Sequence, residues 1–238
     1  MKKTLLLLLY ILLTPTITGF MIAPSATGTQ LHYKVRPPRT TGAKPPLLLL
    51  LHGVGSNEQD LFSLADQLPG KYLVVSARGP LTLAPNSFAW FHVSFSTGRP
   101  VINQEEAESA RKTIIQFIEA LRKEQDFNEQ EVYLMGFSQG GIMSYSVALT
   151  APEKVKGIAV MSGRLLPEVK PLAAPDNRLQ KVKIFVSHGT SDPVLPYQYA
   201  LDAVEYLKSH GLHPDLHTYQ DAHTINAQML ADVVKWLN

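Results

Sequence analysis

The 238-residue chain contains no cysteine. That absence excludes a disulfide framework, a thiolate nucleophile, a cysteine-ligated zinc or iron–sulfur site and a lipid-modified N-terminal cysteine. Any nucleophile must therefore carry oxygen or nitrogen. Surplus charge is missing too. Lys plus Arg number 22 against 20 Asp plus Glu, a formal +2, and two of the cations, Lys2 and Lys3, lie in a segment read below as removed. With no basic excess to hold a phosphate backbone, nucleic acid is not an expected partner. Repeats and low-complexity tracts are absent, and a composition 45% hydrophobic and 18% charged excludes a disordered chain.

The longest apolar run is at the N-terminus. Leu5 to Leu13 follows Met1, Lys2 and Lys3 and is ended by Thr14, Pro15 and Thr16. A positive start, a short apolar stretch and a polar end describe a secretory signal peptide. A spanning helix needs about 20 apolar residues, and Pro15 interrupts too early for one. The expectation is a leader over 1–26, with Gly19 and Ala26 both offering a small residue near the cut. A single exported domain over 27–238 follows, periplasmic or secreted, with no stable membrane span once the leader is gone.

Beyond Pro37, Pro38, Pro45 and Pro46 the chain alternates between two patterns. Leu47 to Leu51, Tyr72 to Ser76, Val132 to Met135, Gly157 to Met161 and Ile184 to Val186 are short apolar runs, as central strands covered on both faces require. Between them apolar residues recur at three- and four-residue spacing, clearest in Ala107, Ala110, Ile114, Phe117, Ile118 and Leu121 after a helix start at Asn103. Ala203, Val204 and Leu207 mark a second helix, and Ile225, Met229, Val233, Trp236 and Leu237 a third. Such alternation predicts an α/β fold, a mostly parallel central sheet with helices on both faces. Chemistry in such sheets collects at the carboxyl ends of the strands.

Gly136-Phe137-Ser138-Gln139-Gly140 sits at one of those ends, between the run Val132 to Met135 and the helical stretch Ile142 to Leu149. This is the strand, sharp turn and helix of a nucleophile elbow, with Ser138 at its tip. The flanking glycines let strand and helix approach without clashing Cβ atoms. A serine hydroxyl needs a base, and the base needs a carboxylate. In this fold the order is serine, acid, histidine. His223 lies after the strand-like Leu216 to Tyr219 and before the last helix, where the base belongs. His188 precedes the best acid, His210 and His213 flank a turn, and His217 falls inside a predicted strand. Asp192 follows Ile184 to Val186 and is the natural acid, with Asp221 as its rival only two residues from His223. For the oxyanion, one backbone N–H is expected from Gln139 at the helix start. A second is expected from the loop His52-Gly53-Val54-Gly55-Ser56-Asn57, at Val54. That loop lacks the Lys-Ser/Thr pair of a phosphate loop.

These motifs together resemble the phospholipase/carboxylesterase family of α/β-hydrolases, which includes the acyl-protein thioesterases. The resemblance runs from about Leu47 to the C-terminus on Leu51-His52-Gly53, Ala89-Trp90-Phe91, Gly136-Phe137-Ser138-Gln139-Gly140-Gly141 and the segment His188 to Pro196. It implies Ser138, Asp192 and His223 as the triad, Val54 and Gln139 as oxyanion donors, no metal, no cofactor, and a small-molecule ester as substrate. Two positions depart from the family pattern: Ala222 precedes His223 where Gly is frequent, and His92 follows Trp90-Phe91 where an acid is common. Trp90 and Phe91, with Phe88 and Phe95, either wall an acyl site or simply pack under their loop. Arg164 to Arg178, with its prolines, is either a lid or a passive crossover. The expected function is that of an exported serine hydrolase acting on carboxylic esters through an acyl-enzyme. The alternatives are a serine peptidase on the same fold and a non-catalytic binding module.

Overall fold

The five consecutive leucines Leu47–Leu51 have no polar side to turn to water, and all five are fully buried. Successive side chains on a strand point to opposite faces, so the run feeds two cores at once. Leu47, Leu49 and Leu51 join one cluster and Leu48 and Leu50 the other. The computed structural model describes residues 31–94 and 100–238. The leader expected over 1–26 and Phe95 lie outside the described residues.

In chain order the strands are β1 (Tyr33–Arg36), β2 (Pro46–Leu51), β3 (Leu73–Ala77), β4 (Leu81–Ala84), β5 (Ser87–Ala89), β6 (Val93–Ser94), β7 (Val101–Ile102), β8 (Asn128–Phe137), β9 (Gly157–Met161), β10 (Lys183–Gly189) and β11 (Asp215–Tyr219). The helices are α1 (Glu58–Phe62), α2 (Gln104–Glu124), α3 (Gln139–Thr150), α4 (Asp176–Leu179), α5 (Gln198–Ser209) and α6 (Ala227–Leu237). Among the described residues, seven strands form the central sheet in the order β1-β3-β2-β8-β9-β10-β11. β1 runs antiparallel to β3 and the other neighbours are parallel. Two short hairpins, β4–β5 and β6–β7, stand outside it. No helix among these residues is long and apolar enough to cross a membrane.

Each predicted apolar run is a strand, and the six residues picked out by helical spacing are all buried on α2. The Asn103 side chain caps that helix by accepting the Glu106 N–H. α2, α3 and α5 cover one face of the sheet, and α1 and α6 the other. β2 therefore leads to a helix on one face while its neighbour β8 leads to a helix on the opposite face. A sheet whose connections diverge in this way opens a crevice at the carboxyl ends of the two strands. α3 is buried on nearly every side, which holds its N-terminus firmly at that crevice. The Arg164–Arg178 stretch packs Leu165, Leu166, Val169 and Ala174 inward, and its Ala174 N–H donates to Leu149 O. It is built as a packed crossover.

Candidate active site

Ser138 follows β8 with φ 53° and ψ −113°, a left-handed conformation that L side chains rarely adopt. The turn is tight because β8 and α3 nearly touch. A Cβ on Gly136 would collide with the Gly140 backbone, and one on Gly140 with the Leu51 carbonyl. The Ser138 N–H donates to Met161 O at 2.9 Å, which ties the turn to β9 and holds the strained residue in place.

The structure brings the three expected side chains together. Ser138 Oγ lies 2.9 Å from His223 Nε2, and His223 Nδ1 lies 2.6 Å from Asp192 Oδ2. A carboxylate only accepts, so Nδ1 carries the proton and Nε2 is left free to take one from the serine. Asp192 is fixed from its other side, because Oδ1 accepts the N–H groups of Val194 and Leu195, each at 2.8 Å. The Asp192 side chain is fully buried and that of His223 is 14% exposed, so the pair is shielded while the imidazole still faces the crevice. The Phe137 ring, 4.9 Å from that of His223 between centroids, braces it. Asp221, the rival acid, bonds elsewhere. It accepts the Ala222 N–H and the Asn226 Nδ2 amide, shaping the loop that delivers His223. Ala222, where the family often has Gly, does not prevent that delivery.

Val54 lines the same cavity as Ser138 and Gln139. The Gly53 backbone abuts Phe137 and Ser138, so a Cβ there would sit 3.4 Å from both side chains. Gln139 is the first residue of α3, and a first-turn N–H has no partner inside its helix. Both residues thus border the cavity at Ser138, the place where an ester carbonyl would meet the nucleophile.

Several polar groups that sequence patterning left unassigned hold this frame. The Gln139 side chain accepts the Trp90 N–H and donates to Phe91 O, both at 2.7 Å. It thereby welds the Trp90-Phe91 segment to the elbow. Of the two aromatic residues expected to meet substrate, Phe91 lines the cavity and Trp90 does not. Trp90 is fully buried, with its indole N–H on His52 O at 3.0 Å, so its place is structural. Phe88 stacks under Arg78 on β5. His92 pairs with Glu106 of α2 through Nδ1 and through its backbone N–H. His217 stacks on Phe185 and pairs with Asp215, His210 pairs with Asp176, and His213 is exposed.

Two further histidines are wholly buried. His52 donates from Nδ1 to Gly53 O and accepts the Gly79 N–H at Nε2. His188 Nε2 lies 2.7 Å from Leu195 O and 3.2 Å from Asp192 Oδ2, and both are acceptors, so Nε2 carries the proton. Burial depresses the pKa of each. The folded state therefore resists protonation where the unfolded chain, near pH 6.5, accepts it. Stability should be full above that value and fall with acid at up to about 1.4 kcal/mol per pH unit for each histidine, until the folded form titrates in turn. Urea midpoints between pH 7.5 and 5.5 measure this; a His52→Gln, His188→Gln double variant that loses stability in acid as steeply as the parent contradicts it.

A sequence model of the phospholipase/carboxylesterase family matches residues 35–238. The chain belongs to that family. It is 26% identical over 208 residues to acyl-protein thioesterase 1 of Kluyveromyces lactis, covering 81% of this chain and 90% of the relative. It is 27% identical over 203 residues to carboxylesterase SOBER1 of Arabidopsis thaliana, covering 80% and 88%. The crystal structure of esterase PE8 superposes with a TM-score of 0.74 at 26% identity, covering 87% of this chain and 98% of that one. The α/β-hydrolase fold and the serine-hydrolase type of enzyme are thus common to the chain and its relatives.

Proposed function

We propose that this member of the phospholipase/carboxylesterase family hydrolyses small carboxylic esters, with Ser138 as nucleophile, His223 as general base and then acid, and Asp192 orienting the imidazole. Ser138 Oγ attacks the ester carbonyl while His223 Nε2 takes its proton. The Val54 and Gln139 amides hold the oxyanion, and the alcohol leaves with the proton that His223 returns. Water, activated by the same imidazole, then releases the acid from Ser138. The observation that supports this most is the continuous contact from Ser138 through His223 to Asp192, at 2.9 and 2.6 Å, built on an elbow that holds Ser138 at φ 53°. A fluorophosphonate probe should label the protein stoichiometrically at Ser138. An unlabelled, folded protein would leave a non-catalytic binding module in its place.

We also infer export. The charged start, the apolar run Leu5 to Leu13 and Pro15 support a leader cut near Ala26. Expression of the full chain in a bacterial host, followed by fractionation and N-terminal sequencing, should find a shortened protein outside the cytoplasm; an intact Met1 terminus in the cytosol overturns the inference.

A further inference from the structure

The cavity at Ser138 has about 350 Å³ of empty space, open solvent at its mouth included. Val54, Phe91, Val93, Ile102, Ile142 and Leu195 give it apolar walls, and among the described residues the only charged side chain lining it is Arg164. Arg164 is half-buried and poorly partnered. Its Nε is buried with no hydrogen-bond partner, and its Nη2 reaches one carbonyl, Pro100 O, at 3.5 Å. The guanidinium carbon stands 5.3 Å from the centre of the Tyr199 ring. Asp202 shares a neighbouring cavity with Arg164, but its carboxylate accepts from Gln198 Nε2 at 2.7 Å and makes no ion pair with the guanidinium. A guanidinium keeps its charge at any working pH and offers five donors in a planar fork. In an apolar surround, such an underused fork is most strongly satisfied by a carboxylate.

The side of the ester that meets Arg164 follows from which catalytic groups share the cavity. Ser138 and both oxyanion residues line it and His223 does not. The leaving alcohol must lie at His223 to receive its proton, so this space takes the acyl portion. We propose that Arg164 selects esters whose acyl chain ends in a second carboxylate, that is, half-esters of short dicarboxylic acids. This deepens the serine-hydrolase reading and rests on it. For monoethyl glutarate the acyl–oxygen bond breaks, ethanol leaves with the proton from His223, and water releases glutarate from Ser138.

The test compares monoethyl glutarate with ethyl pentanoate, of similar acyl length, by product chromatography. The wild type should favour the half-ester at least tenfold in kcat/KM, a gain within what charge-assisted hydrogen bonds supply. Arg164→Gln should bring the ratio to one or below, and Arg164→Lys, which keeps the charge without the fork, should fall between. A wild-type ratio of one or less, or a preference that survives in Arg164→Gln, overturns the assignment. Should Arg164→Gln fail to fold, inhibition of the wild type serves. Glutarate should compete with ethyl pentanoate at concentrations at least tenfold below those needed of pentanoate, and equal potency counts against the proposal. Hydrolysis of ethyl pentanoate with no preference for the half-ester removes only the role of Arg164. Failure on both esters, together with no fluorophosphonate labelling, removes the hydrolase reading itself.

Discussion

Ser138→Ala should lower kcat for ethyl pentanoate by about 10⁶, the loss typical when the nucleophile of a serine triad is deleted. No other group can take over. The chain has no cysteine, and the His223 imidazole that would activate a substitute is hydrogen-bonded to Ser138 Oγ alone on its Nε2 side. The variant should remain folded. Alanine keeps the Cβ that the elbow already accommodates at φ 53°, and the backbone bond from Ser138 N–H to Met161 O does not involve the side chain. Thermal midpoint and activity should therefore separate: the midpoint within a few degrees of the parent, the turnover near background. The oxyanion donors and the cavity survive, so the residual rate should still exceed the reaction in water by about 10³–10⁴. A purified, folded variant retaining a tenth of the parent activity would place the nucleophile elsewhere.

Much of this arrangement was legible in the chain because its constraints are local. The run of five leucines demands a strand buried on both faces, and Gly136, Ser138 and Gly140 demand a sharp bend between strand and helix. The order of serine, acid and histidine then selects Asp192 and His223 from among eight histidines and 20 acidic residues. Illegible features depend on contacts between distant segments. β1 carries Tyr33, Lys34, Val35 and Arg36, half polar and at the edge, so no apolar run announces it. The β4–β5 hairpin turns at Asn86 with φ 58°, without a glycine to mark it. Trp90 illustrates the limit best. Its neighbourhood in sequence was equally compatible with lining a pocket or packing under one, and the decision lies in its bond to His52, 38 positions away. Arg164 is hidden for the same reason, since an isolated arginine ordinarily reads as surface charge, and its meaning comes from the walls around it.

Asp192→Asn should cost about 10⁴ in kcat, through the proton on His223 rather than through loss of fold. The carboxylate is held asymmetrically. Val194 and Leu195 both donate to Oδ1, so the asparagine carbonyl must occupy that position, and its NH₂ must then take the place of Oδ2. Two imidazoles donate toward that place, His223 Nδ1 at 2.6 Å and His188 Nε2 at 3.2 Å. A donor facing a donor at hydrogen-bond range is repulsive, and His223 escapes it by moving its proton to Nε2. There the proton points at Ser138 Oγ, and the base can no longer accept from the nucleophile. His188 has a simpler exit, because Nε2 retains Leu195 O at 2.7 Å. The alternative response, an amide flip that puts the carbonyl toward His223, would face the Val194 and Leu195 N–H groups with the NH₂ instead. That choice exchanges two contacts that the imidazoles can relieve, His223 by its tautomer and His188 through Leu195 O, for two backbone N–H groups that cannot move their protons, and should lose. Nitrogen-15 chemical shifts of the His223 ring at neutral pH should therefore report protonation at Nδ1 in the parent and at Nε2 in the variant. Asp221→Asn offers the contrast: its carboxylate serves only the Ala222 N–H and Asn226, and it should leave the tautomer of His223 as it is in the parent. An Asp192→Asn protein with parental turnover, or one that loses turnover while Nδ1 keeps its proton, would refute the orienting role given to the carboxylate.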